Sequence, residues 1–277
     1  MGLDAAIDEL VAEAMAAPVA GWDFSWAGDR RRELDVLPWR WFDLISSTVR
    51  EVGARALVDL GTGGGEVLAA WLEEVEGVIP RPHLVAATEA WRPNVAVAAA
   101  RLHPVGGAVV ADEGAPDNAD WPGPGSGGRL PFRPRSIDVV LSRHEAYAPD
   151  EVRAALSANG RFLTQQVGGS NEVEWEAWFG RLAEHAGRGW GRTEAVGQAE
   201  GAGFEVLDSG EAYPRVAFAD IGAVVHYHRL IPWFVPGFDP LGRDRAVVHR
   251  LHERISDEGP LVLVSHRYWF VARLRPR

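Results

Sequence analysis

Between Val58 and Glu66 the chain reads Val-Asp-Leu-Gly-Thr-Gly-Gly-Gly-Glu, which sets Asp59, Gly61, Gly63 and Gly65 at alternating positions. An apolar run leads into the glycines and a helical pattern leaves them. Glycine lets a backbone turn tightly and approach a ligand closely, and the helix start behind it offers free N–H groups to an anion. A dinucleotide fingerprint, G-x-G-x-x-G, needs a third glycine where this chain carries Glu66 in one frame and Leu68 in the other. A phosphate loop ending in Gly-Lys is also excluded, because all 28 cationic side chains are arginine. The same absence removes lysine general bases and Schiff bases.

Further along, polar residues stand where apolar runs stop. Glu89, followed by Ala90 and Trp91, closes the second run, and a carboxylate there has the acceptor capacity for two hydroxyl donors. Trp91 is placed either to stack on a ligand or to pack the surface. Asp112 and Glu113 follow the third run. The fourth ends Ser142-Arg143-His144-Glu145-Ala146-Tyr147 and the fifth ends Thr164-Gln165-Gln166. His144 reads as a general base or as a group that orients an acceptor, with Glu145 available to fix its tautomer. The alternative is that Arg143, His144 and Glu145 pair with one another and only hold the turn. Gln165 and Gln166 either contact the acceptor or turn one amide to the backbone. His226 and His228 flank Tyr227 in a stretch of helical flavour, where a spacing of two does not share a face. With no cysteine and no H-E-x-x-H, no metal is expected, and these histidines are expected to line a substrate pocket or the surface.

Positioning these groups requires the alternation seen from residue 56 onward. Short apolar runs at Ala56–Leu60, Leu84–Thr88, Ala108–Ala111, Ile137–Ser142 and Arg161–Val167 are separated by helix-like stretches at Glu66–Glu76, Asn94–Leu102 and Asp150–Ser157. Runs apolar on both faces with helices between them predict a parallel sheet covered on both sides. Before it, residues 4–15 and about Pro38–Val52 have helical spacing. Residues 113–129, rich in Gly, Pro and Asp, form a loop that is either a functional lid or disordered. Residues 216–258 interrupt the pattern before a last strand-like run at Tyr268–Leu274.

The Asp59, Gly61, Gly63 and Gly65 pattern, followed in order by Glu89, Asp112, Leu130-Pro131-Phe132, Ile137–Ser142 and Asn159-Gly160-Arg161-Phe162-Leu163, resembles the class I S-adenosylmethionine-dependent methyltransferases over residues 55–210. The resemblance implies an α/β fold with a Rossmann-like seven-stranded sheet whose last strand is reversed. It also implies an N-terminal helical lid (1–55), a cofactor-binding core (56–215), a helical cap insertion (216–258) and a final strand completing the sheet (259–277). S-adenosylmethionine is the implied cofactor. Its contacts fall on Asp59, Gly61, Thr62, Gly63, Gly65, Glu89, Ala90, Trp91, Asp112, Glu113, Ser142 and Arg143, with Glu89 on the ribose hydroxyls and Asp112 on the adenine amino group. His144 is the catalytic candidate. Trp39, Trp41, Tyr147, Gln165, Gln166, His226 and Trp233 are the candidates for the acceptor, since large flat side chains suit an aromatic or apolar molecule.

Composition narrows the reading. A length of 277 residues predicts one to two domains, and 47% apolar residues supply a sizeable core. A net charge of −11 gives no counterion-release attraction to a phosphate backbone. The expected partner is therefore a small-molecule methyl acceptor rather than nucleic acid. An RNA base methyltransferase and a non-catalytic cofactor-binding module are the rival readings. Residues 1–20 hold Asp4, Asp8, Glu9 and Glu13 without a basic residue, and no apolar run reaches bilayer length, so a soluble cytoplasmic chain without a membrane segment is expected. Oligomeric state has no signature in the sequence.

Overall fold

The structure is a computed structural model that describes residues 3–19, 24–116, 118, 130–182 and 189–276. In chain order its elements are α1 (Leu3–Ala16), a 3-10 segment (Ser25–Arg30), β1 (Arg31–Glu33), α2 (Trp41–Val52), β2 (Ala56–Leu60), α3 (Glu66–Glu74), β3 (Leu84–Glu89), α4 (Arg92–Leu102), β4 (Ala108–Ala111), β5 (Ile137–Arg143), α5 (Pro149–Ala155), β6 (Leu156–Val167), α6 (Trp175–Phe179), α7 (Arg192–Gly201), β7 (Phe204–Ala212), β8 (Arg215–Phe218), α8 (Ile221–Leu230), α9 (Arg245–Glu258), β9 (Leu261–Val264) and β10 (Arg267–Leu274). They form two compact units, residues 38–169, 189–212 and 267–277 in one, and 1–37, 170–188 and 213–266 in the other.

The first unit is built on a seven-stranded sheet in the order β4-β3-β2-β5-β6-β10-β7, parallel except for β10, which runs antiparallel to both neighbours. Every residue of β2 is buried, as a central strand covered on both faces requires. On one face Trp41, Ile45 and Val49 pack with Leu57, Leu68, Trp71, Leu141 and Leu163. The α2 stripe recurs at helical spacing, and the helix stops at Gly53, whose left-handed φ of 58° any other L-residue would adopt at a cost. On the other face Val58, Tyr147, Phe162, Phe204 and Phe270 pack together, with Phe162 meeting Tyr147 and Phe270 edge to face. Seven strands and a reversed last strand agree with the expectation.

The second unit has its own core. Ile7 and Val11 of α1 pack with Trp175, Phe179, Phe218, Ile221, Val224, Val225, Val248 and Leu251. A three-stranded antiparallel sheet, β1-β8-β9, supports it. Asp220 caps α8 by accepting from Ala223 N at 2.8 Å. The division of the chain runs differently from the segments expected. α2 joins the seven-stranded unit because its apolar stripe packs against β6 and β5, while 170–182 and 259–266 join α1 and α8. Residues 216–258 are not wholly helical, because Val216, Ala217 and Phe218 pair as strand with β1 and β9. Most of the 113–129 loop lies outside the described residues.

Candidate functional site

The glycine loop leaves β2 and enters α3 with Gly61, Gly63 and Gly65 all in the left-handed region, at φ of 60°, 64° and 78°. The end of β3 pins it. Gly61 N donates to Thr88 Oγ1 at 3.2 Å, Thr62 N donates to Thr88 O at 2.9 Å, and Gly63 N donates to Glu89 Oε2 at 2.7 Å. Glu89 Oε1 accepts from Trp91 N at 2.7 Å, so the carboxylate ties the loop to the start of α4. Its partial burial raises the Glu89 pKa, and the N–H groups of Trp91, Gly63 and Ala90 oppose the rise. Asp59 is buried beneath the loop and is pushed up to about 6 by desolvation, against the pull of Arg143.

Beside the loop is an open cavity. Gly61, Thr88, Ala90, Asp112, Gly114, Glu145, Tyr147 and Glu151 are among the residues that line it. Four of the expected site residues, Gly61, Ala90, Asp112 and Tyr147, are thus brought together, while Thr62, Gly63, Gly65 and Glu89, outside the lining, are joined through the hydrogen bonds that tie the loop to β3. Two acids that line the cavity had no assigned ligand role. Glu145 is pushed up to about 7 by burial and by the charges of Glu89 and Asp59, and Glu151 also to about 7 by burial, Asp150 and Asp112. In the sequence, Glu151 reads as an ordinary first-turn acid of a helix. Tyr147 is fully buried, with its hydroxyl unpartnered among the described residues, and burial raises its pKa well above 10.

The turn after β5 is held by buried polar side chains. Ser142 Oγ donates to Glu145 O at 2.8 Å, and Gln166 Nε2 donates to Glu145 O at 2.8 Å, to Thr164 Oγ1 at 2.8 Å and to Ser142 Oγ at 3.1 Å. Ser142 and Gln166 are therefore engaged in building the turn. His144 takes a left-handed φ of 59°, and its N–H donates to Gln165 O at 2.8 Å. Its Nε2 lies 3.2 Å from Gln165 Nε2, while Gln165 Oε1 accepts from Trp39 Nε1 at 2.8 Å. The indole can only donate, so the amide carbonyl must face Trp39 and the amide nitrogen must donate to His144 Nε2. His144 is thus neutral with its proton on Nδ1. Desolvation, then Arg143 and Arg267, holds its pKa well below 6.5, although the residue as a whole is exposed. Gln165, not Glu145, fixes the tautomer, because Glu145 turns the other way, onto Gly61.

The remaining candidates are dispersed. Trp41 is buried in the core and Trp91 stands 66% exposed at the start of α4. Glu113 is exposed and outside the cavity lining. In the second unit Trp233 is half exposed, whereas His226 and His228 are buried on α8. His228 is ringed by Trp175, Phe179, Tyr227 and Phe238, with both ring nitrogens unpartnered among the described residues. Burial pushes its pKa down to about 3. Among the described residues no three His, Asp or Glu side chains converge as a metal group would require.

No protein-family model and no curated protein matches the chain. Solved structures do resemble it. A functionally unknown protein from Deinococcus radiodurans R1 superposes with a TM-score of 0.54 at 14% identity, over 98% of this chain and 99% of its own. A candidate methyltransferase from Bacillus halodurans C-125 gives 0.54 at 15% identity, over 84% of this chain and 99% of its own. The 4+2 cyclase SpnF gives 0.52 at 14% identity, over 98% and 93%. The strand order, the reversed β10 and these superpositions define a Rossmann-like class I methyltransferase fold.

Proposed function

We propose that the chain is an S-adenosylmethionine-dependent methyltransferase, cytoplasmic, acting on an oxygen or nitrogen of a small-molecule acceptor. The observation that carries the reading is the left-handed glycine loop with the Glu89 carboxylate laid against its backbone at the mouth of an acid-lined cavity. The residues fit the group. Glu89 spends one acceptor site on each of two backbone N–H groups and retains capacity for ribose hydroxyls. Asp112, half-buried in the lining, would accept from the adenine amino group, and Ala90 would give the base an apolar wall.

When bound, the cofactor supplies the electrophilic methyl group. The chain then has to align an acceptor and exclude water. His144 is outside the cavity lining, and with Nε2 already accepting from Gln165 it has only its Nδ1–H to offer an acceptor and no free nitrogen to take a proton. A net charge of −11 argues against RNA as the acceptor. Because a cyclase shares the fold, turnover must be measured as well as binding.

The test is calorimetric titration with S-adenosylmethionine on wild type and Glu89→Ala, followed by an acceptor screen for methyl transfer. Micromolar binding that weakens at least about tenfold in the variant is expected, equivalent to about 1.4 kcal/mol. Absence of binding to the wild type overturns the reading.

A further inference from the structure

Glu145 crosses the glycine loop. Gly61 at φ 60° brings its backbone so close that a Cβ there would fall inside the Glu145 side chain, and one carboxylate oxygen lies 3.8 Å from where a Cβ of Gly114 would stand. The side chain therefore runs between the two glycines along the cavity wall. Its backbone carbonyl is fixed by Ser142 Oγ and Gln166 Nε2, each at 2.8 Å. Burial and two negative neighbours act on the carboxylate, and no cation or hydrogen-bond donor among the described residues offsets them. The charges that act on it are Glu89 from β3 and Asp59 from β2. Asp112 beyond β4 and Glu151 from α5 line the same cavity, and Arg143 on its own segment is drawn to Asp59. A preorganised, unpaired carboxylate among other carboxylates is completed by a ligand that brings positive charge.

We propose that Glu145 makes this cavity selective for a cationic cofactor, holding the sulfonium form and releasing the neutral thioether left after methyl transfer. The proposal rests on the cofactor reading above. In S-adenosylmethionine the sulfonium is bonded to the ribose 5′ carbon, so if Glu89 holds the ribose, a carboxylate packed on the same glycine loop would stand on the sulfonium side of it. In the transfer, the acceptor lone pair takes the methyl group and the electron pair of the broken C–S bond stays on sulfur. The positive charge moves to the acceptor and leaves as a proton to solvent. The attraction to Glu145 is lost at that moment. Because Glu145 titrates near neutrality, cation preference increases as pH rises through about 7.

The experiment is calorimetric titration with S-adenosylmethionine, S-adenosylhomocysteine and sinefungin, which carries an ammonium in place of the sulfonium, at pH 6 and pH 8.5. Their shared amino-acid portion cancels in the comparison. Wild type at pH 8.5 is expected to bind both cationic compounds about tenfold more tightly than the thioether. The preference should shrink at pH 6 and fall towards unity in Glu145→Gln, with thioether affinity unchanged, while Glu145→Asp retains it. Equal affinity of wild type for all three, or an undiminished preference in Glu145→Gln, overturns the proposal and leaves the cofactor reading intact. Failure of the wild type to bind any of them overturns both. Should Glu145→Gln not fold, the wild-type pH dependence and Glu145→Asp decide.

Discussion

Trp39 Nε1 and Gln165 Oε1 lie 2.8 Å apart across 126 residues of sequence, and this bond decides which nitrogen of His144 carries the proton. With Trp39→Phe the amide is free to reverse, and a population protonated on Nε2 should appear beside the Nδ1–H form. Nitrogen NMR of the nine histidines resolves the two tautomers. The lost hydrogen bond should cost about 1 kcal/mol in denaturant unfolding. A single unchanged tautomer in the variant would show that Trp39 does not orient the amide.

Gly61→Ala should weaken both stability and ligand binding. The left-handed backbone alone costs about 1–2 kcal/mol for a residue with a Cβ. The collision with Glu145 adds to this, so pairing the change with Glu145→Ala should recover part of the loss, leaving the backbone share. A double-mutant cycle on unfolding free energies reads the coupling, and strict additivity would contradict the contact.

Gln166→Ala should act on folding. Its amide nitrogen serves Glu145 O, Ser142 Oγ and Thr164 Oγ1 inside the turn, and losing these buried bonds, with only Glu145 O still served by Ser142 Oγ, costs about 1–3 kcal/mol. Once an acceptor substrate is identified, its KM should stay close to wild type in this variant.

His228→Leu should reduce sensitivity to acid. In the folded chain His228 titrates at about 3 instead of 6.5, so between these values the unfolded chain holds more protons and stability falls as pH falls. Removing the group should stabilise the protein at pH 4–5 more than at pH 8. Asp59 works in the opposite direction. Its raised value of about 6 contributes stability below pH 4 that is lost as pH rises through 6, so Asp59→Asn should remove this fall between about pH 4 and 6. Chemical denaturation across pH 4–8 measures both slopes.

The sequence disclosed the elements whose burial is two-sided or whose glycines are obligatory. β2 and β4 occupy the expected residues, and β10 differs from expectation by one residue, because unbroken apolar runs survive any tertiary context. The second sheet was not visible. β1 is Arg31-Arg32-Glu33, three charged residues made into a strand only by pairing with β8, and β8 and β9 have four residues each. Glu89 and Asp112 stood out through the resemblance and through their places at the ends of apolar runs, and the structure sets Glu89 against the glycine loop and Asp112 in the cavity lining. Glu145 was visible as a residue, but its direction was not, since that depends on the left-handed His144 and on the clamp supplied by Gln166 from another strand. His226 and His228 illustrate the converse: a ring that stays neutral can be buried among aromatics, and spacing alone does not distinguish that from a pocket wall.

β10 lies between β6 and β7 but follows both in sequence. Until it is in place, β6 and β7 each keep a strand edge unpaired. The sheet closes only when Arg267–Leu274 threads in antiparallel to both. Until then any nascent copy of the same strand, from a neighbouring chain on the same message, meets two matching edges. Strand exchange between newly made chains is therefore the misassembly route that this topology leaves open.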